Sequence, residues 1–166
     1  MPKSDVRVLI AEDEPTNLEL VQEVLRARQI TPLPAPDGEQ ALDMAKKHLP
    51  DLILMDLRMP KRHGISVTRA LKEDETTRDI PIIALTASVM DSTEEEALKA
   101  GCNVLGEKPM ASSMEEAKEM VAIANKTGNS YAVMQNRRYL QNIRAYRELI
   151  RKGIIGKPGF ISADFF

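Results

Sequence analysis

The chain has 166 residues and a mass of 18.5 kDa, a size that suits one domain with a sizeable core. Apolar residues make up 43% and charged residues 29%, and no apolar run approaches the ~18–20 residues of a membrane span. A net charge of −2 gives no reason to expect a nucleic-acid partner, and a single cysteine, Cys102, excludes a disulfide framework. We therefore expect a cytoplasmic α/β protein.

The composition is uneven along the chain. Residues 1–100 carry 13 basic and 19 acidic side chains, whereas residues 101–166 carry 10 basic and 6 acidic ones. All six aromatic residues lie beyond residue 130. This contrast indicates a join between two sequences of different origin, and chance placement of a rare residue type is the alternative explanation.

Short apolar runs alternate with amphipathic helical patterns. The predicted strands are 6–11, 30–33, 51–56, 80–86, 103–106, 131–134 and 160–166. The predicted helices are 15–28, one capped by Asp37, 65–72, one ending at Ala100, one from Ser112 or Ser113 to Gly128, and 141–152. Single helices between strands predict a parallel sheet covered on both faces. We predict a doubly wound three-layer sandwich, flavodoxin-like or Rossmann-like, with strand order 2-1-3-4-5-6.

In such sheets the chemistry lies at the carboxyl ends of the strands. The first predicted strand ends in Glu12-Asp13-Glu14 and the third ends in Asp56. Carboxylates that meet at one edge repel one another unless a cation lies between them, and oxygen ligands suit Mg²⁺. The fourth strand ends in Thr86 and the fifth in Lys108-Pro109, a hydroxyl and an ammonium that suit a phosphoryl group.

Asp56 lies at the centre of this group and could act as a carboxylate nucleophile toward phosphorus. Each of these residues alone is more often a helix cap, a turn residue or a solvated side chain. The coincidence of complementary groups on four neighbouring strand ends favours a site.

Five segments resemble the receiver domain of bacterial two-component response regulators, of the chemotaxis-regulator type. The resemblance covers residues 5–109, and its segments are 8–14, 52–60, 83–87, 99–102 and Lys108-Pro109. It implies a phosphoprotein of phosphorelay signal transduction, with Asp56 as the phosphoacceptor. The phosphoryl group would come from a histidine kinase or a small phosphodonor.

The same resemblance assigns roles to the residues around Asp56. Glu12, Asp13, Asp56 and the backbone carbonyl of Arg58 would hold Mg²⁺. Thr86 and Lys108 would bind the phosphoryl group, and we expect Lys108 to pair with the nearby carboxylates. Two residues depart from the family pattern: Glu12 stands where Asp is commoner, and Leu105 stands where a switching Tyr or Phe is usual.

A second set of segments resembles the glucose–fructose oxidoreductase and inositol dehydrogenase family. It covers residues 101–166, and its segments are 101–111, 115–121, 135–139 and 150–156. Together the resemblances imply a chimera within one α/β domain over 1–166, engineered because half a sheet is replaced in register. Its parts would be a receiver-derived 1–103, an oxidoreductase-derived 104–158 and an unpartnered C-terminal strand over 159–166.

Dehydrogenase chemistry is not expected, because the first strand–helix turn, 11–16, lacks a Gly-x-Gly-x-x-Gly pattern and its carboxylates would repel a pyrophosphate. We therefore expect no NAD(P) and no enzyme activity beyond self-phosphorylation. His48 and His63 lack metal-ligand spacing and are expected at the surface. Two functions stay open, a working phosphoacceptor and a structural fold chimera without activity, in a monomer or a dimer through the C-terminal strand.

Overall fold

Six parallel strands form one sheet in the computed structural model, which describes residues 5–86, 93–157 and 159. The strands are β1 (Arg7–Ala11), β2 (Thr31–Ala35), β3 (Leu52–Asp56), β4 (Ile82–Thr86), β5 (Asn103–Gly106) and β6 (Tyr131–Val133). Their order is β2-β1-β3-β4-β5-β6, and every neighbouring pair is parallel. In the last pair, Val104 lies opposite Tyr131. The predicted flavodoxin-like fold and strand order are confirmed.

Five helices accompany these strands in the described part of the chain up to Val133. They are α1 (Pro15–Arg26), α2 (Gly38–His48), α3 (Gly64–Glu73), α4 (Thr93–Ala100) and α5 (Met114–Thr127). The Asp37 side chain caps α2 by accepting the Gln40 amide at 2.9 Å, and Ser113 caps α5 by accepting the Glu116 amide at 3.2 Å. Both caps confirm the helix starts that the sequence predicts.

The second strand differs from its prediction. The sequence predicts a strand over 30–33, but β2 runs to Ala35 and contains Pro32 and Pro34. Proline lacks a backbone N–H group and is therefore tolerated only where that group is not needed for the strand ladder. β2 lies at the edge of the sheet, and its Thr31 amide donates to the Val6 carbonyl at 2.8 Å. The two prolines alternate with the residues that bond to β1, so they remove no ladder hydrogen bond.

The three central strands carry the core. Leu9, Ile53 and Ile82 are fully buried, and helical residues of α2, α3 and α4 pack against them. Cys102 is also fully buried, and its Sγ atom lies 3.3 Å from the Thr68 hydroxyl. Burial raises the pKa of the Cys102 thiol, which disfavours a reactive thiolate.

The described structure divides into two compact units, Met1–Val133 and Met134–Phe166. The second unit contains a short 3₁₀ helix, Asn136–Tyr139, which the sequence did not predict, and α6 (Gln141–Arg151). The single domain over 1–166 stays a prediction. So do the joins after residues 103 and 158 between its parts of different origin. The predicted strand 160–166 lies outside the described residues.

Candidate functional site

The ends of β1, β3, β4 and β5 lie side by side at the carboxyl edge of the sheet. The register places Ala11 opposite Met55, Asp56 opposite Leu85, and Thr86 opposite Gly106. The residues that follow these strands therefore meet at one edge, as the sequence predicts.

Glu12, Asp13 and Asp56 form an acidic cluster at this edge, with carboxylate oxygens within 4.8 Å of one another. Glu12 is half-buried, and its Oε1 atom accepts the Glu14 amide at 3.1 Å. Burial is the largest cause that raises the pKa of Glu12; the bonds from Glu14 and Asn17 oppose it, and the charges of Asp56 and Asp13 add to it. Three hard oxygen donors in mutual repulsion fit a divalent cation such as Mg²⁺.

The β3–α3 loop, residues 57–63, begins directly after Asp56. The Arg58 amide donates to Asp56 Oδ1 at 2.9 Å, which fixes the orientation of that carboxylate. At the far end of the loop, the Gly64 amide donates to the Leu57 carbonyl at 3.0 Å. A Cβ atom on Gly64 would lie 2.3 Å from the Asp56 carbonyl oxygen, so this position needs glycine. The Arg58 backbone thus lies beside the acidic cluster.

Thr86 and Lys108 occupy the two neighbouring strand ends. Thr86 is buried at the end of β4, and its carbonyl accepts the Glu107 amide at 3.2 Å. Lys108 follows β5 with an exposed side chain, and the peptide bond to Pro109 is cis. Among the described residues Lys108 forms no ion pair, contrary to the pairing expected, since an exposed lysine gains little free energy from an ion pair.

Two side-chain pairs near this edge were missed by the sequence analysis. Lys61 of the β3–α3 loop places its Nζ atom 2.6 Å from Asp37 Oδ2, where the sequence indicated only a helix cap. Tyr131 of β6 donates its hydroxyl to Glu94 Oε2 at 2.6 Å. The partners are far apart in sequence, and no local pattern signals either contact.

Comparison with known proteins decides the family. The model of the response regulator receiver domain matches residues 8–122. The chain belongs to this family. The polar-differentiation response regulator DivK of Brucella anthropi is 40% identical over 111 residues, which cover 67% of this chain and 88% of DivK.

Solved receiver domains share the fold. The receiver domain of the sensor histidine kinase PA1611 from Pseudomonas aeruginosa is 32% identical, with a TM-score of 0.57 over 75% of this chain and 99% of that one. That structure has a magnesium ion coordinated in the active site cleft. The manganese-bound form of response regulator Rcp1 is 25% identical, with a TM-score of 0.56 over 72% of this chain and 92% of that one.

This chain is therefore a receiver domain of a response regulator, a class of signalling domains that are generally not enzymes.

Of the predicted surface histidines, His63 is exposed and His48 is half-buried. Within the described ranges, no helix is long and apolar enough to cross a bilayer.

Proposed function

We propose that this receiver domain accepts a phosphoryl group on Asp56 with Mg²⁺ bound at the acidic cluster. The observation that carries the proposal is the convergence of three carboxylates around Asp56, with oxygens within 4.8 Å of one another. A structural cap or turn would need one carboxylate and would not bring three of the same charge together.

Glu12, Asp13, Asp56 and the backbone carbonyl of Arg58 are the proposed Mg²⁺ ligands. A bound Mg²⁺ ion supplies positive charge that offsets the carboxylates and an incoming phosphoryl group. A cation bound here would favour the charged form of Glu12 and so oppose the burial that raises its pKa.

In the proposed reaction a carboxylate oxygen of Asp56 forms a bond to phosphorus. The bond between phosphorus and the donor's leaving group breaks, and the leaving group takes the electron pair. The Arg58 amide holds Asp56 in place at 2.9 Å, while the Thr86 hydroxyl and the Lys108 ammonium contact the phosphoryl oxygens. A histidine kinase or a small phosphodonor provides the group.

Intact-mass spectrometry after incubation with acetyl phosphate and Mg²⁺ tests this function. We expect the parent chain to gain one phosphoryl group and the Asp56→Asn variant to gain none. Asp43→Asn, which changes an exposed carboxylate of α2, serves as the matched control and should gain the group. No mass gain on the parent chain would refute the proposal and favour a structural fold chimera without retained activity.

We further propose that the C-terminal part of the chain has a separate, oxidoreductase-like origin and was joined by design. The resemblance of 101–166 to the oxidoreductase family and the confinement of all aromatic residues to positions beyond 130 support this. The receiver family match reaches residue 122, so the β5–α5 region fits both patterns, whereas β6 and α6 lie beyond it. A join within the shared region keeps the sheet in register.

A further inference from the structure

We infer that Lys61 is a positioning residue for the Mg²⁺ site. Its ion pair with Asp37 holds the β3–α3 loop in the conformation that keeps Arg58 beside Asp56. This inference rests on the proposed function, because the loop carries one of the proposed Mg²⁺ ligands. Lys61 itself lies outside the acidic cluster.

The anchor for Lys61 is a buried and fully oriented carboxylate. The Asp37 side chain is only 6% exposed, and Lys61 Nζ lies 2.6 Å from its Oδ2 atom. The Gln40 backbone amide donates to Oδ1 at 2.9 Å, and the Gln40 side chain donates to Oδ2 at 2.7 Å. Exposed ion pairs contribute little to stability because both side chains move freely, but here the Asp37 carboxylate is fixed by its other hydrogen bonds.

The loop backbone also rests directly on the start of α2. The Arg62 amide donates to the Pro60 carbonyl at 2.7 Å, and the Gly38 amide approaches the same oxygen at 3.4 Å. A Cβ atom on Gly38 would lie 1.9 Å from the Arg62 carbonyl oxygen. Lys61 has a φ of 62°, a left-handed conformation that lysine rarely adopts, so its backbone needs support from contacts around it.

The other end of the loop is held by apolar side chains and by the site itself. Leu57 and Met59 are 1% and 7% exposed, and the Arg58 amide bonds to Asp56 Oδ1. The competing explanation is that these anchors fix the loop alone and that Lys61 merely adds a charge.

The two explanations predict opposite changes in Mg²⁺ affinity when the Lys61 charge is removed. If Lys61 acts only as a nearby cation, its removal lowers the repulsion toward Mg²⁺ and tightens Mg²⁺ binding. If Lys61 positions the loop, its removal loosens the Arg58 carbonyl and weakens Mg²⁺ binding.

Isothermal titration calorimetry with Mg²⁺ on the full chain measures whether the affinity rises or falls. We expect Lys61→Met to weaken Mg²⁺ binding roughly three- to tenfold. This loss should not exceed the loss that follows removal of a residue that bonds directly to a metal ligand. Lys61→Arg keeps the charge and should restore affinity to within about twofold. Lys46→Met is the matched control, because Lys46 pairs with Asp74 at 2.8 Å away from the cluster, and it should also stay within about twofold.

Hydrogen exchange without Mg²⁺ gives an independent measurement. The Arg58 and Gly64 amides should exchange about tenfold faster in Lys61→Met than in the parent, and at the parental rate in Lys46→Met. Unchanged or tighter Mg²⁺ binding by Lys61→Met, or unchanged exchange of both amides, would overturn the inference. If the parent binds no Mg²⁺, the proposed function fails, and the exchange rates alone decide whether Lys61 holds the loop.

Discussion

Replacing Tyr131 by Phe removes one hydroxyl from a buried contact between β6 and α4. That hydroxyl donates to Glu94 Oε2 at 2.6 Å and lies 3.3 Å from the Met110 carbonyl. Glu94 is 4% exposed, and its Oε1 atom has no hydrogen-bond partner among the described residues. The variant would therefore leave a buried carboxyl group without either of its oxygens bonded.

The expected loss in the free energy of unfolding is about 2–3 kcal/mol near neutral pH. Hydrogen bonds to charged groups contribute about 1.5–3 kcal/mol to stability. When the partner of a buried group is removed, the protein loses that whole contribution, because water does not solvate the buried group. Phe otherwise fills the same volume as Tyr, so no cavity contribution is added.

The pH dependence gives the sharper test. Burial raises the pKa of Glu94 above 4.5, and the Tyr131 bond opposes that rise, so the variant raises the pKa of Glu94 further. A raised folded-state pKa gives stability that is present below the unfolded pKa and lost as pH rises through the folded pKa. The cost of Tyr131→Phe should therefore be larger at about pH 8 than at about pH 5.

Urea unfolding followed by circular dichroism at both pH values measures this difference. Tyr146→Phe removes the hydroxyl of an exposed tyrosine and should change stability by less than about 0.5 kcal/mol. A loss below about 0.5 kcal/mol for Tyr131→Phe at about pH 8, or an equal loss at both pH values, would refute the reasoning.

Three further predictions concern the loop and the site. Hydrogen bonds from the Gln40 amide and then from Lys61 lower the pKa of Asp37 to about 2, so the parent should lose stability as pH falls from about 4 toward 2. Asp37→Asn should flatten that part of the urea-unfolding profile, and an unaltered slope would contradict it. Gly38→Ala should destabilise the protein by more than about 2 kcal/mol in urea, since its Cβ would clash with backbone; a loss near zero would mean that α2 shifts freely. Lys108→Ala should leave Mg²⁺ affinity in calorimetry unchanged or higher, because a competing cation is lost, while it slows phosphorylation; a large loss of affinity would contradict its proposed role.

The fold was predictable because its signals are local. Each central strand is an apolar run, each α-helix of the first unit has an amphipathic pattern, and Asp37 and Ser113 are caps with their partners three residues ahead. The order of the strands then follows from right-handed crossovers. The candidate site was predictable for the same reason, since Asp56 and Thr86 end strands whose carboxyl edges meet.

The contacts that support the site were not predictable, because they join residues distant in sequence. Lys61 and Asp37 are 24 residues apart, and Tyr131 and Glu94 are 37 residues apart. A lysine in a loop and a glutamate in the first turn of a helix are both typical of solvated surface, so nothing in the pattern marks them as paired.

Tyr131 places an aromatic ring in the sheet on β6 and not on β5. Leu105 of β5 stands where the receiver pattern usually has an aromatic ring, and all six aromatic residues lie beyond residue 130. Among the strands that the structure describes, only β6 carries an aromatic residue, and β6 lies beside β5 and outside the receiver family match. The ring that β6 supplies is held through its hydroxyl by a buried carboxylate on α4. Rotating it outward would break that bond and leave Glu94 without this hydrogen bond, so β6 contributes a fixed aromatic contact beside β5.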